Sequence, residues 1–124
     1  MTTGGSPVVA AVKDLFFVAR IRETARLVGV PLTFARTPDE IAGALAAKPR
    51  FVLLDLTANL DHGAILDAAE GAGVPVVAFT THAAARGTQP WHRRCERVVT
   101  KETLTAELPT LLREGATTSR AATS

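Results

Sequence analysis

The sequence contains one cysteine, one tryptophan and no tyrosine among its 124 residues. A single cysteine, Cys95, cannot form an internal disulfide, which excludes a disulfide framework and favours a reducing compartment. No uncharged apolar stretch approaches the roughly 18–20 residues of a membrane span. The first six residues have neither the basic nor the apolar region of a signal peptide. These absences predict a cytoplasmic protein, and the chain length suits one domain.

A glycine-rich phosphate loop is also missing. The first apolar run is followed by Lys13-Asp14-Leu15-Phe16, which has no glycine that would let the backbone approach a pyrophosphate. This excludes the usual dinucleotide-binding and P-loop enzymes, and no enzymatic activity is predicted. His92 and Cys95 have the spacing of half a zinc site, but no second pair follows.

Charge of neither sign dominates, since 14 basic residues face 12 acidic ones. The excess of basic residues lies in the segment from His82 to Lys101, and this segment contains one acidic residue, Glu96. A solvated basic face is the simpler interpretation, because no recognisable nucleic-acid-reading element accompanies it. The alternative is a patch for an acidic partner. The basic residues of this segment are Arg86, Arg93, Arg94, Arg97 and Lys101.

Apolar runs alternate with helical patterns between two polar ends. The ends, residues 1–6 and 114–124, have too few large apolar residues to offset ordering and are predicted to be disordered. The runs are continuous, as in strands of a parallel sheet that is covered on both faces. They are Val8–Val12, Pro31–Ala35, Phe51–Leu56, Val74–Phe79 and Arg97–Val99.

Each run is followed by a predicted helix. Gly29 is predicted to end the first helix, and Thr37 to cap the second while Glu40 bonds back to the cap amide. Gly87 and Pro90 are predicted to shorten or break the fourth helix, and Pro109 is predicted to divide the fifth into two turns. The first helix is expected to end near Val28, and the second to begin near Pro38. The third, fourth and fifth helices are expected to span Asp61–Ala72, Ala83–Arg94 and Glu102–Arg113.

Five successive β–α pairs predict a doubly wound α/β fold, because right-handed crossovers place helices on both faces of a parallel sheet. Ligands of such folds bind beyond the carboxyl ends of the strands. The polar residues just after the strands are therefore the candidate site. They are Lys13, Asp14, Asp55, Thr80, Thr81 and Lys101.

Three of these strand ends carry motifs. FVLLD ends at Asp55, VVAFT ends at Thr80, and VVTK ends at Lys101. In this order and spacing, residues 8–113 resemble the receiver domains of two-component response regulators. The resemblance implies a flavodoxin-like sheet of order 2-1-3-4-5. It also implies a phosphate-accepting Asp55, a phosphoryl-binding Thr80, and a Lys101 that pairs with the phosphorylated site.

The sequence departs from this family at the metal site. Receivers have two acids after the first strand, but here Lys13 replaces the first and only Asp14 remains. Asp14 and Asp55 are thus the candidate Mg²⁺ ligands, and Lys13 is predicted to form an ion pair with Asp55 that deters the cation. Glu102 stands where a proline usually follows the lysine. The family's aromatic switch residue in the fifth strand is also absent.

Purely structural roles are open for the same residues. Asp14 can cap the first helix, and Asp55 can close an Asx turn. Thr80 and Thr81 can be loop hydroxyls, and Lys101 can be a surface lysine.

The candidate partner surface is the fourth helix with the fifth strand. Trp91 stands among arginines there, a composition typical of interface hot spots, although a half-buried packing tryptophan is an equal alternative. The predicted partner-binding residues are Trp91, Arg93, Arg94 and Arg97. The partner is another protein or a second copy, and neither nucleic acid nor a membrane is expected.

Three functions remain open. The first is a stand-alone, degenerate receiver-like adaptor that signals by protein–protein contact and has no cofactor. The second is a competent regulator that uses Mg²⁺ and is phosphorylated on Asp55 by a histidine kinase. The third is a flavodoxin-like small-ligand-binding protein.

Overall fold

Five strands alternate with five helices in the computed structural model, which describes residues 6–115. The strands are β1 (Val8–Ala11), β2 (Leu32–Phe34), β3 (Phe51–Asp55), β4 (Val76–Thr80) and β5 (Arg97–Thr100). The helices are α1 (Leu15–Val28), α2 (Pro38–Leu45), α3 (His62–Ala72), α4 (Ala85–His92) and α5 (Lys101–Glu114).

The strands form one parallel sheet of order β2-β1-β3-β4-β5. This confirms the doubly wound α/β fold and the strand order that the resemblance implied. All strands point the same way, so the residues that follow them collect at one edge of the sheet. In the register of β3 with β4, Asp55 lies beside Phe79, and Thr80 is the next residue of β4.

The sheet divides the core into two clusters, one on each face. Phe51 and Leu53 of β3 lie in the first cluster, whereas Val52 and Leu54 lie in the second. This alternation explains why the strands are apolar without interruption, since both faces of the sheet are covered. Helices α1 and α5 pack on the first face, and α2 and α3 on the second.

Helix ends follow the predicted signals closely. Gly29 ends α1 in the left-handed conformation, with φ of 74°, and Thr37 caps α2 by accepting a hydrogen bond from the Glu40 amide. Glu40 differs from its predicted role, because its carboxylate accepts from the amide of Arg36 (2.8 Å), one residue before the cap. In the usual capping box, the carboxylate accepts from the amide of the cap residue itself. Here the acceptor contacts the amide one residue before the cap.

The two proline-containing helices differ from each other. Pro90 lies in α4, which spans eight residues and has no side-chain cap. The prediction that Pro109 divides α5 was wrong, because α5 runs unbroken through it. Four buried leucines hold α5 on the first core cluster, and their burial outweighs the hydrogen bond that proline cannot donate. They are Leu104, Leu108, Leu111 and Leu112.

The predicted disordered ends fall largely outside the described residues, which exclude 1–5 and 116–124. Helix α5 extends to Glu114, one residue into the C-terminal end that the sequence predicts to be disordered. Within residues 6–115, none of the helices has the length and apolar character required to span a bilayer.

Candidate functional site

Asp55, at the end of β3, is a buried carboxylate with 4% of its surface exposed. Its Oδ1 accepts hydrogen bonds from the amide (2.8 Å) and the hydroxyl (2.6 Å) of Thr57, which is the Asx turn considered above. Its backbone carbonyl oxygen lies 3.1 Å from Nε2 of His62. The turn fixes the carboxylate from one side, and in the described part of the chain Oδ2 has no hydrogen-bond donor.

Asp14 uses both of its carboxylate oxygens. Oδ1 caps α1 by accepting from the amides of Phe16 (3.0 Å) and Phe17 (3.3 Å), while Oδ2 accepts from Nζ of Lys101 (2.9 Å). The hydrogen bond from Lys101, followed by that from the Phe17 amide, lowers the pKa of Asp14 below its ordinary value of 3.8. The capping role of Asp14 is confirmed, and the residue is ionised at neutral pH.

Lys101 pairs with Asp14 rather than with Asp55. Its ammonium also lies over the Phe17 ring, 5.0 Å from the centroid. Phe17 in turn packs against Phe79 of β4, with 5.1 Å between ring centroids. Because α1 and α5 lie side by side on the first face, the amino-terminal ends of both helices meet, and this places Lys101 at Asp14.

The predicted ion pair between Lys13 and Asp55 was wrong. Lys13 is exposed, and its Nζ donates to the carbonyl oxygen of Asn59 (2.9 Å), in the loop after β3. This hydrogen bond keeps the Lys13 ammonium near the surface, whereas pairing with the buried Asp55 would require desolvation of the ammonium. Within residues 6–115, Asp55 forms no ion pair with Lys13 or Lys101.

The two threonines after β4 have different surroundings. Thr80 is buried and accepts from the hydroxyl of Thr88 (3.2 Å), whose oxygen lies 2.8 Å from Nε2 of His92. This polar chain joins β4 to α4. Thr81 instead caps the next turn by accepting from the Ala84 amide (3.1 Å), as a loop hydroxyl would.

Sequence reasoning did not find the roles of Thr88 and His92. Their i, i+4 spacing on a helix was the available signal, because it places the two side chains on one face.

The charged side chains at this edge are largely engaged with other groups of the chain. Mg²⁺ requires several oxygen ligands in octahedral geometry. Asp14 already serves a helix cap and an ammonium, and Lys13 stands where a receiver has its first acid. Over residues 6–115, no three His, Cys, Asp or Glu side chains converge as a potential metal site.

Comparisons with known proteins identify the architecture. No protein-family model and no curated protein matches the chain. A response regulator structure from Hahella chejuensis superposes with a TM-score of 0.71 at 14% identity, covering 86% of this chain and 92% of that one. A receiver domain from Clostridium thermocellum gives 0.70 at 10% identity, covering 96% and 99%. The chain has the receiver fold.

The receiver fold by itself does not carry receiver chemistry. A de novo designed Rossmann 2x3 protein also matches, with a TM-score of 0.61, 14% identity, and coverage of 90% of this chain and 92% of that one. Function must therefore be argued from the site residues.

On the α4 side of the receiver fold, Trp91 contributes to internal packing. Trp91 is half-buried and packs against the second core cluster. The centroids of its ring and the His62 ring are 5.8 Å apart. A Cβ built on Gly63 would lie 3.7 Å from the indole, so the ring covers the start of α3. Part of the ring is still exposed, and its predicted role as an interface anchor stays a prediction.

The basic residues near Trp91 are partly neutralised within the chain. Arg94 donates to Asp67 (2.6 Å) and Glu70 (3.2 Å) of α3, which raises the pKa of the guanidinium further. Arg97 pairs with Glu107 of α5 (2.8 Å). Arg93 is exposed and forms no ion pair within residues 6–115, so it is the predicted contact residue most available to a partner.

The environment of Cys95 disfavours a reactive thiolate. Burial raises the pKa of its thiol to about 11, and Sγ donates to the carbonyl oxygen of Trp91 (3.4 Å). The nucleophilic thiolate is therefore scarce at neutral pH.

An open groove of about 630 Å³ lies where α1, the β4–α4 loop and α5 begin. Phe16, with 91% of its surface exposed, stands at its rim, and sequence reasoning assigned it no role. The groove is lined by Asp14, Phe16, Phe17, Arg20, Thr81, His82, Thr100, Lys101, Glu102 and Thr105.

Proposed function

We propose that this protein is a degenerate receiver-like signalling adaptor, which acts through protein–protein contact and without Mg²⁺-dependent phosphorylation of Asp55. The observation that carries the proposal is the commitment of Asp14. One oxygen of Asp14 caps α1 and the other binds Lys101. The only acid that remains of the family's pair is thus already occupied by groups of this chain.

Phosphoryl transfer to a carboxylate develops negative charge on the equatorial oxygens. A divalent cation, an ammonium and a hydroxyl usually stabilise that charge. Here the ammonium of Lys101 is neutralised by Asp14, and Thr80 is hydrogen-bonded to Thr88. Lys13 adds positive charge beside the loop after β3, where it repels a cation. The Lys101–Asp14 ion pair would have to break before the ammonium could pair with a phosphoryl group on Asp55.

The adaptor's partner is proposed to bind the face of α4 and β5. Trp91, which is partly exposed, and Arg93, which forms no ion pair within residues 6–115, favour an acidic or aromatic protein surface, or a second copy of the domain. Arg94 and Arg97 contribute less, because their charges are already shared with Asp67, Glu70 and Glu107. The single cysteine, Cys95, is partly buried, and one unpaired thiol is compatible with a cytoplasmic location.

The decisive experiment is treatment with acetyl phosphate and Mg²⁺, followed by intact-mass analysis. We expect no phosphoryl adduct on the wild type and an adduct on Lys13→Asp, which supplies the missing acid. The matched control is Lys13→Asp combined with Asp55→Ala, which removes the acceptor and should abolish the adduct. An adduct on the wild type that is lost in Asp55→Ala would contradict the proposal.

That contrary outcome would support a competent single-domain regulator. One observation favours this alternative: Oδ2 of Asp55 accepts no hydrogen bond from the described residues, and so remains available as an acceptor oxygen. The groove beside Phe16 is the corresponding argument for a small-ligand-binding protein. It lacks the anion-binding loop that a nucleotide would require.

A further inference from the structure

The largest exposed apolar side chains of the described chain all lie on α1. They are Leu15 (74% exposed), Phe16 (91%) and Leu27 (69%). Phe16 and Leu27 are eleven residues apart, about three helical turns, so they share one side of the helix. Leu15 is rotated from Phe16 by about 100° and does not belong to that side.

Two charged residues complete the line between Phe16 and Leu27. Phe16, Arg20, Glu23 and Leu27, here called the outer stripe, are spaced 4, 3 and 4 residues apart. This is the spacing of the a and d positions in a coiled coil. All four residues are exposed, whereas the opposite side of α1 is buried in the first core cluster through Phe17, Val18, Ile21 and Ala25. Helix α1 thus presents a second seam to solvent.

The outer stripe is symmetric about the middle of the helix. Helix α1 runs from Leu15 to Val28, so its midpoint falls between Ile21 and Arg22. Phe16 and Leu27 are equally far from that midpoint, and so are Arg20 and Glu23. An antiparallel copy of the helix therefore places an apolar residue opposite an apolar one and an acid opposite a base.

We propose that the outer stripe is a self-association surface, on which two copies of this chain pair their α1 helices antiparallel about a two-fold axis. Phe16 then contacts Leu27 of the partner subunit, and Arg20 pairs with Glu23 of the partner subunit. Every contact occurs twice, as an isologous interface requires. A parallel arrangement would instead oppose Arg20 with its own copy and Glu23 with its own copy.

The charges at the centre set orientation more than affinity. Glu23 already accepts two hydrogen bonds from Arg26 (3.1 and 2.5 Å), but both side chains are more than half exposed, so sharing the carboxylate costs little. Two helices of fourteen residues bury less than the roughly 1,600 Å² of a standard interface, so the dimer is weak. Charged pairs at the centre of such a seam select the antiparallel register.

This inference does not rest on the proposed function, because α1 lies apart from the α4 and β5 face that was assigned to the signalling partner. Either surface can fail its test without affecting the other.

The test exploits the reciprocity of the Arg20–Glu23 pair. The full chain is followed by sedimentation velocity over a wide concentration range, and the wild type is expected to show a reversible monomer–dimer equilibrium. Arg20→Glu alone makes both central pairs acidic, and Glu23→Arg alone makes both basic. Each variant should weaken dimerisation about tenfold or more. Both positions are exposed, and far-UV circular dichroism verifies that the variants are folded.

Mixing the two variants supplies the specific readout. In the mixed dimer, the glutamate of Arg20→Glu faces the arginine of Glu23→Arg. The second central pair joins the unchanged Glu23 of the first subunit to the unchanged Arg20 of the other, so both pairs have opposite charges. We expect the mixture to regain the wild-type dimer fraction. Arg113→Glu, at the exposed end of α5, changes net charge as Arg20→Glu does, and it should leave dimerisation unchanged. Arg93→Glu, just after α4, tests the rival surface instead.

Four results would overturn the proposal. The first three are a wild type that stays monomeric at every concentration, single variants that dimerise as well as the wild type, and an equimolar mixture that is no more dimeric than its components. Loss of the dimer in Arg93→Glu would assign self-association to the α4 face instead, and would equally overturn it.

Discussion

At the residue scale, Asp14 shows how the neighbours of one carboxylate can engage both of its oxygens. The cap on α1 needs an acceptor after β1, and Lys101 needs an anion where α5 begins. Asp14 meets both needs, and the three hydrogen bonds that it accepts use three of the roughly four lone-pair sites of a carboxylate. Its partners in the described chain are two backbone amides and one ammonium.

Asp14→Asn should destabilise the protein in a pH-dependent way. Because the pKa of Asp14 is lowered in the folded chain, its contribution is fully present above its ordinary value of 3.8 and is lost as pH falls through the folded pKa. Asparagine keeps the capping oxygen but loses the ion pair. We expect the difference in unfolding free energy between wild type and Asp14→Asn to shrink as urea denaturation is repeated at decreasing pH.

The control for this experiment is Lys101→Met, which removes the largest cause of the pKa shift. In that background, Asp14→Asn should produce a much smaller pH-dependent difference. An equal difference in both backgrounds would mean that Lys101 does not stabilise the ionised Asp14.

Trp91→Ala tests whether the indole acts mainly in the core or at an interface. The ring is half-buried and contacts His62, so we expect the free energy of unfolding to fall by less than about 3 kcal/mol. Phe79→Ala is the comparison, because Phe79 is 2% exposed and should cost about 3–5 kcal/mol. A Trp91→Ala cost as large as that of Phe79→Ala would identify Trp91 as a core residue and leave Arg93 alone to define the partner surface.

At the scale of elements, α4 is the least constrained helix. It has eight residues, includes Pro90 and lacks a side-chain cap, and Thr88 is its one buried residue. Helix α5 also contains a proline, but four buried leucines hold it in place. The local sequence signals are alike in the two helices, and the difference comes from how much apolar surface each one buries.

Gly87→Ala should stabilise α4. Gly87 lies in the helix without a positive φ, and a Cβ there would meet no atom within 4 Å. Alanine lowers the backbone entropy of the unfolded chain, so we expect a gain of about 0.5–1 kcal/mol and slower amide exchange over residues 85–92. Hydrogen exchange followed by NMR measures both, and in the wild type exchange should be faster between 82 and 96 than in the other helices.

Gly73→Ala is the matched control, because Gly73 ends α3 with φ of 71°. Alanine is strained in that conformation and should lower stability by about 1 kcal/mol. If Gly87→Ala also destabilised the protein, the backbone of α4 would differ from the helix described here.

At the scale of the whole molecule, the architecture was predictable and the pairing of the site residues was not. The strands could be located because each is apolar throughout and buried on both faces, and glycine and capping residues marked the helix ends. The ion pair of Lys101 with Asp14 joins residues 87 positions apart. It depends on α1 and α5 packing on the same face, and no spacing along the chain encodes that contact. Lys13 was misassigned for the same reason, since its acceptor is a carbonyl oxygen in a distant loop.

Mg²⁺ should not change the free energy of unfolding. A ligand that bound the native state with a Kd of about 1 mM would add about 1.4 kcal/mol to stability at about 10 mM. With Asp14 occupied by Lys101, we expect no change in the urea midpoint when MgCl₂ replaces NaCl at equal ionic strength. EDTA should likewise have no effect. A saturable increase at millimolar Mg²⁺ would show that Asp14 can exchange its partner for a cation.

The edges of the sheet also bear on how copies of this chain can aggregate. The edge strands, β2 and β5, have only three and four residues, and β5 begins with the charged Arg97. Short, charged edges offer few unpaired backbone groups on which another strand could be templated. Contact between molecules is thereby directed to side chains on helices, where it can close as a finite pair rather than extend into a fibre. Concentrating the protein should thus increase reversible association without seeding amyloid-like growth.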